Sequence, residues 1–456
     1  MPKDTEENLT SPGFASLSLI TFFGVANDNI LKQILMLMVA AGGLWANRFG
    51  AGSQGVISLV LTVPFIFLSG YAGQLSDKFS RRQIVYWVKF AEIPICLLAL
   101  FGLLLGNFWL SLAALFLLAV QSSFYGPAKF GIIPEIVKRE SLSKANGLIN
   151  AISNIAIIIG SLVAGPLADL YYPTQTGTAD STVVQERDLN PKAPREPQTD
   201  LVTAEPQRLP VGAILFVVSV FGFVSVFAMP RSKASQPNLK LQYNLVSGHW
   251  ATMKSCERPL LVVMFSWAVF YLIGTLALLL LPEYRTILGV TNSAITNMIG
   301  LLAISIGVGS CAVGFLSGKK IQANYSVAGA VGMTASFGIL GLIEPNYVSN
   351  CVLVSLLGLS AGFYIVPLQS LMQDLAPQDE RGRFFGTANT LSFIFISAGG
   401  VIYTLMSNVG VPPERFPLIC SVIAAVGTVA GWLELKRIRK AQARVDAQKS
   451  KLVVPG

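Results

Sequence analysis

The chain has 456 residues, of which 53% are hydrophobic and 12% are charged, and its mean hydropathy is +0.60. Soluble domains carry about 25% charged residues, so this composition excludes a soluble globular protein. The net charge of +9 lies mainly in segments between apolar runs, which is typical of a membrane protein and gives no reason to expect a nucleic-acid partner.

Apolar runs long enough to cross about 30 Å of hydrocarbon recur along the chain, which predicts twelve transmembrane spans. The runs lack the alternation of apolar and polar residues that a membrane β-barrel requires, so the spans are predicted to be helices. The predicted spans are 14–42, 53–74, 83–105, 108–127, 143–168, 209–229, 259–281, 291–316, 326–343, 348–370, 384–407 and 415–435.

The first predicted span carries polar side chains near its centre, namely Asn27, Asp28, Asn29 and Lys32. Asp28 and Lys32 are four residues apart, so they share one helix face and can form an ion pair. An unpaired charge at this depth costs roughly 3 kcal/mol on insertion scales, and these groups must therefore face a polar interior. We predict that this interior is a substrate cavity. The alternative is an internal ion pair that only fixes helix packing.

The segment GQLSDKFSRR, residues 73–82, lies between the second and third spans and resembles the major facilitator signature G-x-L-x-D-x-x-x-R-[KR]. Gly73 allows close approach of helices, Asp77 can sit at a positive helix end, and Arg81 and Arg82 can anchor at the cytoplasmic face. The resemblance implies a gating motif that stabilises the state closed to the cytoplasm. The alternative is an ordinary basic turn between two spans.

The third and fourth spans contain further candidate residues for the substrate site. Lys89 and Glu92 are three residues apart on one helix face, and they are either a packing ion pair or part of the cavity wall. Gly126-Pro127 is predicted to end the fourth span, which places Lys129 at the cytoplasmic headgroup level. There Lys129 either meets a lipid phosphate or extends its amine to the interface without a ligand.

The segments YGPAKFGI (125–132) and KANGL (144–148) resemble the bacterial lysophospholipid transporter family, as do AGFYIVPLQSLMQD (361–374) and the Asn-Asp-Asn cluster of the first span. The resemblance implies a lysophospholipid substrate and a bacterial inner-membrane location. Some family members continue into an acyltransferase and an acyl-carrier-protein synthetase. This chain carries neither, so such an enzyme is expected as a separate partner.

The two halves of the chain repeat each other. A shift of 239 residues places Gly147 on Gly386 and Asn150 on Asn389, and a shift of 241 places Gly73 on Gly314. This repeat predicts an all-α membrane protein of twelve transmembrane helices in two pseudo-symmetric six-helix bundles, related by an axis along the membrane normal.

The two halves differ in polarity. The spans of the second half contain almost no charge, and Gln369 and Asn389 are their polar candidates, with Asn150 as a candidate in the first half. One half therefore offers groups for a headgroup and the other an apolar wall for an acyl chain, which favours a lipid substrate.

The predicted organisation places both termini in the cytoplasm, because 24 of the 33 Lys and Arg residues then lie on that side and 7 lie opposite.

The only histidine, His249, lies in the central linker and is interpreted as a solvated side chain. The predicted segments are 1–171 for helices 1–5, 172–208 for an external disordered loop, 209–229 for helix 6, 230–258 for the cytoplasmic linker, 259–435 for the second bundle and 436–456 for a basic tail.

Three classes of function remain to be compared. The first is a secondary transporter that moves lysophospholipid by alternating access, for re-acylation at the cytoplasmic face. The second is a proton-coupled transporter of a small solute or drug, with Asp28 or Glu92 as the proton site. The third, a membrane enzyme, is disfavoured because no histidine lies in any predicted span. No catalytic residue, metal or cofactor is therefore expected.

Overall fold

A computed structural model describes residues 9–39, 44–45, 53–171, 207–241, 247–290, 292–318 and 321–429 of the chain. Eleven helices in these ranges are long and apolar enough to cross a membrane, and a twelfth helical segment occupies 416–429. The long helices are α1 (Pro12–Val39), α2 (Ser53–Lys78), α3 (Arg81–Leu104), α4 (Phe108–Ile136), α5 (Leu142–Tyr171), α6 (Arg208–Ser225), α7 (Arg258–Leu280), α8 (Asn292–Leu316), α9 (Asn324–Leu342), α10 (Tyr347–Leu375), α11 (Arg381–Asn408) and α12 (416–429).

The predicted all-α membrane fold is confirmed, and each of the first eleven predicted spans corresponds to one helix. The described residues end inside the twelfth predicted span. The predicted external loop lies outside the described residues except for 207–208, and so does the basic tail at 436–456.

The fourth helix runs further than its sequence predicts. α4 has 29 residues and continues through Pro127 and Pro134 to Ile136, so the predicted end at Gly126-Pro127 is wrong. Proline removes one backbone donor, but membrane helices tolerate this loss where neighbouring helices and local adjustments satisfy the freed carbonyl. As a result Lys129 lies about 10 Å inside the end of the helix rather than in a cytoplasmic link.

The two halves of the chain form bundles that meet along two helix pairs, α2 with α11 and α5 with α8. In the second pair a methyl group on Gly147 would overlap the carbonyl oxygen of Ser310. In the first pair a methyl group on Gly386 would overlap the carbonyl oxygen of Ser69. The shift of 239 relates the two glycines and the shift of 241 relates the two serines. The two contacts are therefore two copies of one contact, as the internal repeat predicts.

His249 is a packed side chain, so its interpretation as a solvated residue is wrong. It lies in a short linker helix, Ser247–Ser255, with Nδ1 3.1 Å from Thr387 Oγ1 and Nε2 3.3 Å from Thr390 Oγ1 on α11. A methyl group on Gly70 of α2 would overlap the imidazole ring. The linker helix thus contacts both helices of the α2–α11 pair, and burial lowers the pKa of His249.

We predict that acidification weakens the contact of the linker helix with α2 and α11. The docked state favours neutral imidazole, whereas an undocked linker titrates near the ordinary histidine pKa of about 6.5. Below about pH 6.5 the undocked state therefore binds more protons, and docking loses stability until the lower pKa of the docked state is reached. Hydrogen exchange of the 247–255 peptide, corrected for intrinsic rates, should increase between pH 7.5 and pH 5.5 in the wild type and not in His249→Gln. Equal protection at both pH values in the wild type would contradict the prediction.

Candidate functional site

A buried polar network joins α1, α3 and α4 near the middle of the first bundle. The carboxylate of Glu92 accepts hydrogen bonds from Asn27 Nδ2 at 3.0 Å, Lys89 Nζ at 2.6 Å and Gln121 Nε2 at 2.9 Å. Asn27, Lys89 and Glu92 are each at most 1% exposed. The structure thus brings three of the predicted site residues together, and Lys89 and Glu92 form a buried ion pair. Charged groups at this depth are stable only when they are paired in this way.

Asp28 is connected to the same network through α4. Its carboxylate accepts a hydrogen bond from Ser122 Oγ at 2.7 Å, and Ser122 Oγ lies 2.9 Å from Gln121 Oε1. Asp28 is partly exposed, in contrast to the fully buried Glu92. The carboxylate of Glu92 on α3 is therefore enclosed by protein, whereas the carboxylate of Asp28 on α1 stays partly exposed.

The predicted ion pair between Asp28 and Lys32 is not formed among the described residues. Both side chains lie on one face of α1, but the hydroxyl of Ser122 on α4 supplies a hydrogen bond to Asp28 instead. Lys32 is partly exposed. Asn29 is also partly exposed and donates from Nδ2 to the carbonyl of Val25 in its own helix, at 2.8 Å.

Lys129 lies beside two aromatic rings, one of which packs against the second bundle. Its Nζ is 4.6 Å from the ring centre of Phe130 and 5.7 Å from that of Tyr125, which also has Lys89 Nζ at 5.3 Å. The ring of Phe130 stacks on Phe385 of the second bundle with centroids 5.4 Å apart. Within the described residues Lys129 has no carboxylate within 4.0 Å, so its positive charge is available to an anionic group.

Three further predicted site residues bridge the two bundles. Asn150 Nδ2 on α5 donates to Gln369 Oε1 on α10 at 2.7 Å, and Asn389 Nδ2 on α11 donates to Ser69 Oγ on α2 at 2.8 Å. One turn from Asn150, Asn146 Nδ2 donates to Gln373 Oε1 at 2.6 Å. In this conformation these amides join the bundles, and a direct contact with substrate stays a prediction.

The predicted gating motif also bridges the bundles. Asp77, at the end of α2, accepts hydrogen bonds from the backbone N–H groups of Gly382 at 2.7 Å and Arg383 at 2.8 Å, in the first turn of α11. A carboxylate is favoured at this position because helix N-termini carry partial positive charge and unpaired donors. Arg81 lies 3.5 Å from Asp77 and forms an ion pair with Glu135 of α4.

Polar contacts join the two bundles at one end of the helices. We call the side where α2 ends and α3 begins the Asp77 end. The hydrogen bonds named above between the two bundles lie in the half of the helices near this end. Arg139 and Asp374 add an ion pair there, with Arg139 Nη2 2.6 Å from Asp374 Oδ2. The structure therefore represents a state that is closed at the Asp77 end.

Several residues of these two networks were not predicted from the sequence. Gln121 and Ser122 connect Asp28 with Glu92, and Glu135 pairs with Arg81. Asn146 and Gln373 bridge the bundles. The available signal was polar residues inside an apolar run, which are consecutive in QSS (121–123) and four residues apart in QSLMQ (369–373).

Comparisons with known proteins support this architecture. A family model described as the Major Facilitator Superfamily matches residues 13–179 and 208–400. A Shigella flexneri protein named lysophospholipid transporter LplT is 24% identical over 445 residues, covering 95% of this chain and 98% of its own length. A Photorhabdus laumondii protein of the same name is 25% identical over 435 residues, covering 93% and 96%.

Solved structures share the fold at low sequence identity. FucP, a Major Facilitator Superfamily transporter in the outward conformation, superposes with a TM-score of 0.71 at 14% identity and covers 92% of this chain and 98% of its own. The human organic anion transporter MFSD10 superposes with a TM-score of 0.72 at 10% identity and covers 94% and 100%. The family model spans both bundles and most of their helices, and on this basis the chain belongs to the Major Facilitator Superfamily.

Proposed function

We propose that this protein is a secondary transporter that moves lysophospholipid across the bacterial inner membrane by alternating access. The observation that carries the proposal is the asymmetry between the bundles. The first bundle places Asp28, Lys89, Glu92 and Lys129 within its helices, whereas residues 259–280, 292–316, 324–342, 347–373 and 384–408 contain no Asp, Glu, Lys or Arg. A substrate with a charged headgroup and one acyl chain needs both surfaces. The relatives named lysophospholipid transporter support the same substrate class.

The headgroup is assigned to the first bundle. Lys129 offers a positive charge to the phosphate, because its Nζ lies beside Phe130, which stacks on Phe385 of the second bundle, and it has no carboxylate partner among the described residues. Asp28 offers a partly exposed carboxylate, which suits the ammonium group of an ethanolamine headgroup. We therefore propose a lysophosphatidylethanolamine-type substrate. Asn29 and Lys32 are the neighbouring polar groups on α1, and the apolar helices of the second bundle take the acyl chain.

The closed end is assigned to the cytoplasmic side, because the excess of Lys and Arg lies at that end of the helices. Both termini are then cytoplasmic. Opening this end requires the loss of the hydrogen bonds from Gly382 and Arg383 to Asp77 and of the amide bridges, and the motif of Gly73, Asp77, Arg81 and Arg82 is proposed to control that step. Lysophospholipid released on this side would be re-acylated by a separate acyltransferase and acyl-carrier-protein synthetase.

The second candidate, a proton-coupled transporter of a small solute or drug, is supported by one observation. Asp28 and Glu92 are joined through Ser122 and Gln121, so a change of charge at one carboxylate alters the electrostatic environment of the other. In this candidate the protonation of Asp28 or Glu92 would drive the change between the two states.

Uptake into vesicles distinguishes the candidates. We expect purified protein in vesicles to take up lysophosphatidylethanolamine well above protein-free vesicles, with lysophosphatidic acid and lysophosphatidylcholine as headgroup comparisons. Each lipid is tested with and without a membrane potential and with an uncoupler. The absence of any lysolipid uptake, combined with uncoupler-sensitive uptake of a solute, would reject the lipid proposal in favour of the second candidate.

A further inference from the structure

A basic groove lies on the outer face of the first bundle, apart from the polar network and the interface between the bundles. It has a volume of about 430 Å³ and is lined by the start of α3 and the segment that follows α6. This volume is within the range of roughly 300–1,000 Å³ that is usual for small-molecule sites. Its polar lining includes Ser80, Arg82, Arg231 and Ser232. We call it the Arg82 groove.

The charge of the Arg82 groove is positive and uncompensated within the described residues. Arg82 and Arg231 both line it, and neither lies within 4.0 Å of a described carboxylate. The backbone N–H of Arg82 donates to Ser232 Oγ at 3.0 Å, which joins the start of α3 to the segment that carries Arg231. Two guanidinium groups held on adjoining segments match a phosphate diester, which accepts hydrogen bonds from several donors.

The wall of the groove toward the membrane interior is aromatic. Tyr86 and Phe227 line the groove, and Phe223 packs against both, with ring centroids 5.3 Å apart in each pair. Phe90 adds to this aromatic cluster at 5.8 Å from Phe223. Phe227 is 60% exposed and Trp87, beside Tyr86, is 57% exposed. Large exposed aromatic side chains below a basic rim are the pattern expected where a protein meets acyl chains and headgroups together.

The groove also lies at headgroup depth. Arg82 is the second residue of α3, and Phe90 is eight residues further along, about 12 Å deeper at 1.5 Å per residue. Arg231 follows the 3-10 turn Val226–Ala228 that ends the sixth span. The guanidinium groups are thus near the membrane surface and the aromatic rings are below them, in the same order as the phosphate and acyl chains of a lipid in that leaflet.

We propose that the Arg82 groove binds an anionic diacyl phospholipid, with the phosphate at Arg82 and Arg231 and the acyl chains on the aromatic cluster of Tyr86, Phe223 and Phe227. Basic pockets beside transmembrane helices on the cytoplasmic side are suited to anionic headgroups. The site is distinct from the proposed transport site, since neither Asp28 nor Lys129 lines it. It does not depend on which substrate the protein carries.

Native mass spectrometry of purified protein with equal amounts of phosphatidylglycerol and phosphatidylethanolamine tests the proposal. The wild type should retain one phosphatidylglycerol in preference to phosphatidylethanolamine. In the double variant Arg82→Gln/Arg231→Gln the apparent affinity for phosphatidylglycerol should fall at least about tenfold, because each charge-assisted contact contributes roughly a factor of ten. The matched double variant Lys233→Gln/Lys240→Gln removes the same charge from exposed linker residues outside the groove and should bind as the wild type does.

Two further measurements keep the test independent of folding and of transport. A photoactivatable phosphatidylglycerol on the wild-type protein should label peptides that contain Tyr86 or Phe227, and inorganic phosphate in excess should not compete. Asp28→Ala should retain phosphatidylglycerol even if it loses transport. Equal loss of lipid in both double variants, labelling confined to other helices, or full competition by phosphate would each overturn the lipid assignment, as would capture of an acidic peptide without phosphatidylglycerol.

Discussion

Lysophospholipid uptake should fall to the protein-free background when Asp28 is replaced by Ala, while the protein stays folded in the membrane. Asp28 is partly exposed and keeps one hydrogen bond to protein, from Ser122. Its removal leaves no buried charge without a partner, so the cost in stability is that of one hydrogen bond, about 1 kcal/mol. The loss of a carboxylate that binds a cationic headgroup should cost considerably more in transport.

Uptake of lysophosphatidylethanolamine and thermal unfolding are the two measurements for this variant. Asp169→Ala removes an exposed carboxylate from α5 outside the network and should transport normally. Lys89→Met provides the opposite comparison, because it leaves Glu92 buried at 1% exposure without its cation. Breaking a buried pair in this way costs about 3–5 kcal/mol, so this variant should lose stability as well as uptake. Normal uptake by Asp28→Ala would remove the proposed headgroup site.

The comparison of Asp28 with Lys89 also shows what could be predicted from sequence. Spacing along α1 placed Asp28 and Lys32 on one face, and spacing along α3 placed Lys89 and Glu92 on one face. Only the second pair forms an ion pair. The difference comes from α4, which brings Ser122 to Asp28 and Gln121 to Glu92. Residue spacing within one helix cannot predict a hydrogen-bond partner on another helix.

The error at α4 has a similar cause. Proline is a strong signal for the end of a helix in water, because an unpaired carbonyl can bind solvent once the helix stops. Inside a membrane bundle the unpaired group must be satisfied within the protein, which favours continuation of the helix through Pro127 and Pro134. This continuation places Gln121 near the middle of α4 rather than near its end, and for that reason Gln121 was not predicted from the sequence to join the polar network.

The twelve helices and the internal repeat were predictable because they depend on local composition and on matched positions. Helix length follows from the hydrocarbon thickness, and paired glycines follow from close contact between helices. His249 shows the limit of this reasoning, since a single histidine in a linker gives no periodic signal. Its contacts with Thr387 and Thr390 arise only when the linker helix lies on α11.

Replacing Gly386 by Leu should hold the Asp77 end open and reduce transport about tenfold. A Cβ atom added at Gly386 would overlap the carbonyl oxygen of Ser69. This oxygen is a backbone atom that cannot move without separating α2 from α11. Overpacking a close contact costs about 1–3 kcal/mol, and each 1.4 kcal/mol changes the ratio of closed to open states about tenfold. We expect α2 and α11 to separate in the open state, so that the whole cost acts on the closed state.

Gly400→Leu is the matched control, because it lies in the same helix and a Cβ atom there would meet no atom within 4 Å. Spin labels on Phe79 and Gln378, which are exposed at the Asp77 end of the two bundles, report the opening as a longer distance between the labels. The distance should increase in Gly386→Leu and remain as in the wild type in Gly400→Leu. Gly147→Leu should reproduce the increase, since Gly147 meets Ser310 as Gly386 meets Ser69. If both glycine variants kept the wild-type distance, close helix contact would not determine closure, and the hydrogen bonds to Asp77 would have to hold the end shut alone.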